Sequence, residues 1–111
     1  MVRTEGAATT ALNQKVTVEN VNHPGKSKRV DAELYAEMRR ALLALLPMDA
    51  PGLTLKEIGE RLPSHLRLSL FKGGAGPGWW LKTVQLDLEA KGTIVRERCR
   101  PIQLYKGTGE D

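Results

Sequence analysis

One amphipathic helix with a clear start and a clear stop constrains this chain most. Asp31 is a typical helix-capping residue, and Pro47 cannot continue a helix, so the sequence bounds a helix over 31–46. Between these residues apolar side chains recur at spacings of three and four. They are Leu34, Met38, Ala41, Leu42 and Leu45. Because a helix with one apolar stripe must bury that stripe, we expect a globular fold around it.

The rest of the chain can supply one core but not two. Its 111 residues match one domain of roughly 100 to 150 residues, and 41% hydrophobic content with a net charge of +4 argues against general disorder. We therefore predict one domain over 15–106, with flexible tails at 1–14 and 107–111. The longest apolar run, Ala41 to Leu46, is far shorter than the ~20 residues that span a bilayer. No signal peptide is visible either, so we expect a cytoplasmic protein without a membrane partner.

A β-hairpin is predicted at the start of the domain. The residues from Lys15 to Val21 alternate around β-branched side chains, and an Asn-His-Pro-Gly turn follows them. The second arm, 26–30, is basic. Over 15–30 the sequence places four cations against Glu19, which is a local net charge of +3.

Helices and a loop are predicted for the middle of the chain. The capping-box pattern Thr54-Leu-Lys-Glu predicts a second helix that runs to Pro63, and a short third helical segment follows it. The glycine-rich segment 72–78 predicts a loop. A helix of about three turns then begins at Trp79 and stops before Gly92, which is a natural C-terminal residue.

Two strands around Cys99 complete the predicted fold, at 93–98 and 102–106. This second hairpin carries the alternating cations Arg96, Arg98 and Arg100. A hairpin that lies along a nucleic-acid groove uses such side chains to neutralise phosphates. A solvated charged surface explains the same arginines about equally well, and Cys99 receives no role.

The helix that begins at Trp79 has a predicted inner and outer face. Its inward positions are Trp80 or Leu81, Val84 and Leu88, and its outward positions include Lys82, Thr83, Gln85, Leu86 and Glu89. Glutamine can pair with adenine, and lysine can approach guanine or a phosphate. The outward polar side chains therefore suit a DNA contact, although an ordinary solvated helix face has the same composition.

Two adjacent indoles open this helix. Trp79 and Trp80 point about 100° apart, so only one of them can lie fully in the core. An exposed Trp79 beside an exposed Leu86 would form an apolar patch. These two residues predict a contact with a partner or with a second copy of the chain.

The sequence carries no catalytic or metal-binding pattern. One cysteine and two histidines do not give metal-ligand spacing, and no Ser-His-Asp order or paired carboxylates occur. The glycine-rich segment fails as a phosphate loop because Trp79 and Trp80 stand where Lys and Ser or Thr are needed. We expect a connector there, no cofactor, no metal and no enzymatic activity.

The order of elements resembles the winged helix-turn-helix of bacterial repressors. The strings Leu-Thr-Leu-Lys-Glu-Ile-Gly-Glu-Arg-Leu and Leu-Glu-Ala-Lys-Gly-Thr-Ile-Val-Arg carry this resemblance, which runs from about Asp31 to Lys106. It implies an α+β fold, a winged helix-turn-helix with an added N-terminal hairpin. More narrowly, Val-Glu-Asn-Val-Asn-His-Pro-Gly and Gly-Trp-Trp-Leu-Lys-Thr-Val-Gln-Leu-Asp-Leu-Glu-Ala-Lys-Gly look like a family of small bacterial proteins of unknown function.

The resemblance implies a homodimer that binds duplex DNA. The expected DNA contacts are Lys72, Lys82, Thr83, Gln85, Arg96, Arg98 and Arg100. The alternative is an interaction module that keeps the same scaffold and holds a partner through Trp79, Leu86 and the N-terminal hairpin. A small-molecule sensor with a pocket beneath the glycine-rich loop is a third hypothesis.

Overall fold

The protein is a mixed α+β fold, as predicted. The computed structural model describes residues 14–107, so the predicted tails lie outside the described residues except at Gln14 and Gly107. The strands are β1 (Lys15–Glu19), β2 (Ser27–Asp31), β3 (Leu53–Thr54), β4 (Ile94–Glu97) and β5 (Gln103–Lys106). The helices are α1 (Ala32–Leu45), α2 (Leu55–Arg61) and α3 (Pro77–Ala90), with 3-10 turns at Leu62–His65 and Leu68–Phe71. The finer assignment as a winged helix stays a prediction.

The predicted helix over 31–46 is confirmed as α1. Its first turn is capped by Asp31, whose carboxylate accepts a hydrogen bond from the Leu34 N–H at 3.0 Å. Met38, Ala41 and Leu42 are fully buried, and α1 packs against α3. The apolar stripe of α1 therefore forms the centre of the core.

The predicted capping box is confirmed at the start of α2. The Glu57 N–H donates to Thr54 Oγ1 at 3.1 Å, and the Thr54 N–H donates to Glu57 Oε1 at 2.9 Å. Because that backbone hydrogen bond favours the charged carboxylate, it holds the pKa of Glu57 below its ordinary value. The reciprocal bonds fix where α2 begins.

The short strand β3 is a feature that the sequence patterns did not predict. Leu53 pairs with Leu104 and Thr54 with Gln103, so the sheet has the order β3-β5-β4. The preceding Gly52 allows this close approach, because a Cβ at that position would lie 2.1 Å from the carbonyl oxygen of Leu104. The strand thus joins the end of the α1–α2 loop to the C-terminal hairpin.

The predicted N-terminal hairpin is confirmed, and it packs on the helices rather than projecting into solvent. β1 and β2 pair antiparallel, with Val16 opposite Val30 and Val18 opposite Lys28. Val18 and Val30 are buried, and β1 contacts both α1 and α3. The hairpin therefore forms an added layer that covers one side of α3.

Candidate binding site

The N-terminal hairpin and the first half of α3 enclose an open cleft of about 510 Å³. One wall is the turn end of the hairpin, and the other wall runs along α3 from Gly78 to Leu86. Ligand pockets have volumes of roughly 300 to 1,000 Å³, so a small molecule or a few peptide side chains would fill this space. We call it the hairpin cleft. Its principal residues are Val18, Lys26, Lys28, Trp79, Lys82 and Leu86.

Two lysines of the hairpin line the cleft, and strand alternation places one of them, Lys28, on the inward face. Directly opposed residues of an antiparallel pair share one face, and Lys28 is opposite the buried Val18. Lys26 lies in the turn segment just before β2 and also lines the cleft. An inward lysine reverses the usual alternation of apolar inside and polar outside. The two lysines give the hairpin wall of the cleft its positive charge.

Trp79 supplies the aromatic surface of the cleft. Its side chain is 43% exposed, and Nζ of Lys28 lies 4.5 Å from the centre of its ring. This geometry is a cation–π contact. Trp80 is buried and meets Trp79 edge-on, with 5.1 Å between ring centres. The prediction that only one of the two indoles lies fully in the core is confirmed.

The ammonium groups of the cleft are not neutralised by carboxylates within the described part of the chain. Lys26, Lys28 and Lys82 form no ion pair with any residue of 14–107. Glu19 is the single acidic residue among the described residues that line the cleft. The cleft therefore combines a net positive charge with an apolar floor formed by Val18 and Leu86.

Asp87 ties the hairpin to α3. The carboxylate is fully buried, its Oδ1 accepts the Glu19 N–H at 2.8 Å, and its Oδ2 accepts the Lys91 ammonium at 3.0 Å. The Tyr35 hydroxyl also donates to Oδ2. Burial and this hydrogen bond to a carboxylate raise the pKa of Tyr35 well above its ordinary value. The Asp87 carboxylate thus links β1, α1 and α3, and it fixes the position of the hairpin wall of the cleft against α3.

The prediction that Gln85, Leu86 and Glu89 lie on the solvent side of α3 is wrong. Gln85 and Leu86 are each 7% exposed, and the Glu89 side chain is 5% exposed. A 3.6-residue period predicts one buried stripe, but α3 packs against α1, the N-terminal hairpin and β4, which cover three of its sides. Leu86 therefore forms cleft floor and not part of an exposed apolar patch.

Arg96 is paired inside the fold. Its Nε and Nη2 donate to the two carboxylate oxygens of Glu89 at 2.8 and 3.0 Å, and Gln85 donates to the same carboxylate at 2.9 Å. The hydrogen bonds to Glu89 raise the pKa of Arg96 further. A contact between Arg96 and DNA stays a prediction, but its charge is already balanced by Glu89.

The other predicted DNA contacts fall into separate parts of the surface. Lys82 and the half-buried Thr83 line the hairpin cleft. Lys72 is exposed in the loop before α3, and Arg98 and Arg100 are exposed at the tip of the β4–β5 hairpin. The structure thus brings Lys82 together with the N-terminal hairpin, whereas the sequence pattern groups it with the arginines.

Sequence reasoning missed Lys26, Lys28 and Asp87 as residues of the site. A signal for the lysines was present, because pairing the Lys-Ser-Lys arm with the Val-Thr-Val arm places a lysine opposite Val18. No comparable signal marks Asp87. Its burial depends on the hairpin that packs over α3, which is a tertiary contact.

Metal-binding clusters and membrane-spanning helices are absent from residues 14–107. No group of three His, Cys, Asp or Glu side chains there could hold a metal ion. The Cys99 thiol contacts the carbonyl oxygens of Glu97 and Pro101. No helix in the described part of the chain is long and apolar enough to cross a membrane.

Comparison with known protein families shows a match over most of the chain. A family model described as a family of unknown function matches residues 15–104. This range includes both walls of the hairpin cleft. No curated protein and no solved structure matches the chain. The predicted likeness to a family of unknown function is confirmed at that level.

Proposed function

We propose a function for this chain, which belongs to DUF6958, a family of unknown function. The proposal is based on the charge and the apolar surface of the hairpin cleft. The protein is a non-enzymatic interaction module that binds an acidic segment of a partner protein. The observation that carries this proposal is the set of lysine ammonium groups around Trp79, for which residues 14–107 supply no carboxylate partner.

The chemistry of the cleft selects an acidic peptide that also carries apolar side chains. Ammonium groups from both walls favour an anion, because complementary charge across an interface increases specificity and association rate. The exposed indole of Trp79 and the floor at Leu86 offer apolar area, and tryptophan is enriched at binding hot spots. A partner with acidic and apolar side chains satisfies both features.

The same geometry disfavours insertion of α3 into DNA. The major groove is about 12 Å wide, so it admits one helix with its side chains but not the elements packed on the flanks of that helix. The N-terminal hairpin contacts α3 on one flank, and β4 contacts it on another. Of the expected base contacts, Lys82 is exposed and Thr83 is half-buried, whereas Gln85 is buried.

The scaffold that we propose is a winged helix with an added hairpin. The described elements follow the order α1, β3, α2, α3, β4 and β5, and the sheet order is β3-β5-β4. This order agrees with the resemblance to the winged helix-turn-helix. Since one scaffold can support unrelated functions, the fold leaves both DNA binding and protein binding open.

Duplex DNA is the second candidate partner, through the tip of the β4–β5 hairpin. Arg98 and Arg100 are exposed there, and neither forms an ion pair with a described residue. Exposed guanidinium groups on a hairpin tip suit phosphate contacts. In this version the helix α3 contributes little, and a homodimer would bring two such tips to one duplex.

Binding of two probes distinguishes these candidates. The first probe is a fluorescein-labelled ten-residue peptide of alternating glutamate and threonine with one central leucine, and the second is a labelled 20-bp duplex of random sequence. We expect the peptide to bind at low salt and the double variant K28E/K82E to bind it at least about tenfold more weakly, since like charges in an interface repel.

The matched control is Lys56→Glu, because Lys56 is an exposed lysine on α2 that is absent from the cleft. It should change peptide affinity by less than about twofold, as a distant surface charge is screened. Failure of the peptide to bind, or an equal loss in the control, would overturn the proposal. Duplex binding that is lost in R98A/R100A would support the second candidate, and sedimentation velocity tests the homodimer.

A further inference from the structure

The two edges of the N-terminal sheet differ in a way that defines how a partner would bind. The Ala32 N–H donates to the Gln14 carbonyl at 3.0 Å. These two residues are opposite each other, next to the Lys15–Asp31 pair, so theirs is a hydrogen-bonded pair of the β1–β2 ladder. In an antiparallel ladder bonded and non-bonded pairs alternate. Thr17 with Arg29 and Glu19 with Ser27 are therefore non-bonded pairs, and their backbone groups point outward from the two edges.

The edge formed by β1 is partly occupied. The outward N–H of Glu19 donates to the buried carboxylate of Asp87 at 2.8 Å. Asp87 belongs to α3, so the helix lies against this edge. A further strand cannot pair along β1 at Glu19 without breaking that hydrogen bond.

The edge formed by β2 is open. Ser27 and Arg29 are exposed, and their outward backbone groups have no hydrogen-bond partner among residues 14–107. Each residue offers one N–H donor and one C=O acceptor. This edge lies beside the cleft, because Ser27 and its neighbour Lys28 both line the cleft.

We propose that the acidic partner segment binds in an extended conformation as a third strand of the N-terminal sheet, paired with the open edge of β2. This inference rests on the proposed function, since it specifies how the acidic segment enters the hairpin cleft. The carboxylates of the segment lie on the inward face beside Lys28, with Lys26 in the adjoining turn. Backbone hydrogen bonds to Ser27 and Arg29 hold the segment in register.

The lysines make this edge selective. Lysine on an edge strand normally discourages pairing with other chains. An opposing strand with acidic side chains at alternate positions relieves the repulsion, because cross-strand pairs of opposite charge are stabilising. A neutral or basic strand finds no such compensation. Strand addition of this kind obtains affinity from the backbone and specificity from alternate side chains.

Backbone methylation of the probe tests the proposal. A paired strand directs every second N–H toward its neighbour, so methylation of one alternate set of amides should weaken binding at least about tenfold while methylation of the other set is tolerated. In antiparallel pairing the sensitive set is the threonine amides, and in parallel pairing it is the glutamate amides. Equal tolerance of both sets would overturn the inference.

A variant of the protein gives an independent readout. Ser27→Pro removes one outward donor and leaves the β1–β2 ladder intact, because proline is accepted on an edge strand where its missing N–H faces solvent. We expect weaker peptide binding with an unchanged midpoint of thermal unfolding. Amide exchange at Arg29 should slow when the unmethylated peptide binds, and the exchange of Arg98 should not change.

The failures of the two proposals are distinguishable. One result would reject this inference alone: the unmethylated peptide binds, K28E/K82E lowers its affinity, and both methylated peptides bind as well as the unmethylated one. The protein would then bind acidic peptides without strand addition. If the unmethylated peptide fails to bind the wild-type protein, both proposals are wrong. Binding that depends on one set of amides supports both.

Discussion

The molecule has two basic hairpins, and their charges meet different surroundings. The segments 15–30 and 96–106 each carry four cations and one acid, a local net charge of +3. In the C-terminal hairpin Arg96 is bonded to Glu89 on α3. In the N-terminal hairpin Lys26 and Lys28 line the hairpin cleft without a carboxylate partner among residues 14–107. Equal charge in sequence therefore leaves different cations unpaired: Arg98 and Arg100 at the tip of the C-terminal hairpin, and Lys26 and Lys28 at the hairpin cleft.

The hairpins also differ in how they are attached. The C-terminal hairpin belongs to a three-stranded sheet, and the Lys106 N–H donates to the Pro47 carbonyl at 2.8 Å. The N-terminal hairpin is a two-stranded sheet, and its long-range polar attachment to α3 is made by Asp87. Because two-stranded sheets are marginal alone, the position of the N-terminal hairpin depends on its contacts with the helices.

The largest expected effect follows removal of that attachment. Asp87→Ala would leave the part-buried Glu19 N–H and Tyr35 hydroxyl without their acceptor, and we expect a loss of about 3 kcal/mol in the free energy of unfolding. Urea denaturation measures the loss, with the exposed Asp49→Ala as control. Amide exchange should accelerate in 15–31 more than in 94–106. Equal acceleration in both hairpins would contradict the difference in attachment.

The next effect concerns the C-terminal hairpin. Glu89→Gln removes the charge that balances Arg96, and since the Glu89 side chain is 5% exposed and Arg96 is 22% exposed, we expect a loss of about 2 kcal/mol. Thermal or urea unfolding measures this loss, and the exposed Glu97→Gln serves as control. A freed Arg96 should also increase affinity for the 20-bp duplex if that hairpin contacts DNA. A stability change equal to that of the control would mean that the pair contributes nothing.

Glu37 on α1 provides a reference outside both hairpins. The Arg40 guanidinium, above all, and the Arg67 N–H hold the pKa of this carboxyl below its ordinary value, and Glu37→Gln should cost about 1.5 kcal/mol at neutral pH. A pKa lowered by folding adds stability above the unfolded value and loses it as pH falls through the folded value. The difference between wild type and variant should therefore shrink below about pH 4. A difference that stays constant on acidification would contradict the ion pair.

The smallest effect is expected at Lys28. Lys28→Gln removes the cation from above Trp79, and an exposed cation–π contact contributes only about 0.5 kcal/mol. Stability should therefore be nearly unchanged, while peptide binding decreases. Unfolding curves and peptide titrations on one preparation test both parts. A large loss of stability would show that Lys28 supports the fold, which would weaken its role as a binding residue.

Local elements of this fold were predictable because they depend on neighbouring residues. Asp31 and Pro47 mark the ends of α1, and the Thr54–Glu57 capping box marks the start of α2, because caps and proline act within one turn. The N-terminal hairpin was predictable from its alternation and its turn. The strand β3 was not, since two residues carry no period and pair with Leu104 and Gln103 far along the chain.

The candidate site was predictable only in part. The exposed indole of Trp79 and its role in the alternative interaction surface follow from the two adjacent tryptophans. The burial of Gln85 and Leu86 did not follow, because the helical period cannot report that the N-terminal hairpin and β4 also cover α3. The pairing of Arg96 with Glu89 likewise required knowledge of which strand lies beside α3.

The residue pattern by itself determined the helices, both hairpins and the excess of positive charge, because short-range periodicity, capping and composition are properties of neighbouring residues. Tertiary structure decided which of those charges remain without an acidic partner among residues 14–107. Neutralisation depends on distances of a few ångströms between residues far apart in sequence, such as Glu89 to Arg96 at 2.8 Å. The packing of one hairpin over α3 therefore moved the candidate site from the C-terminal arginines to the lysines of the hairpin cleft.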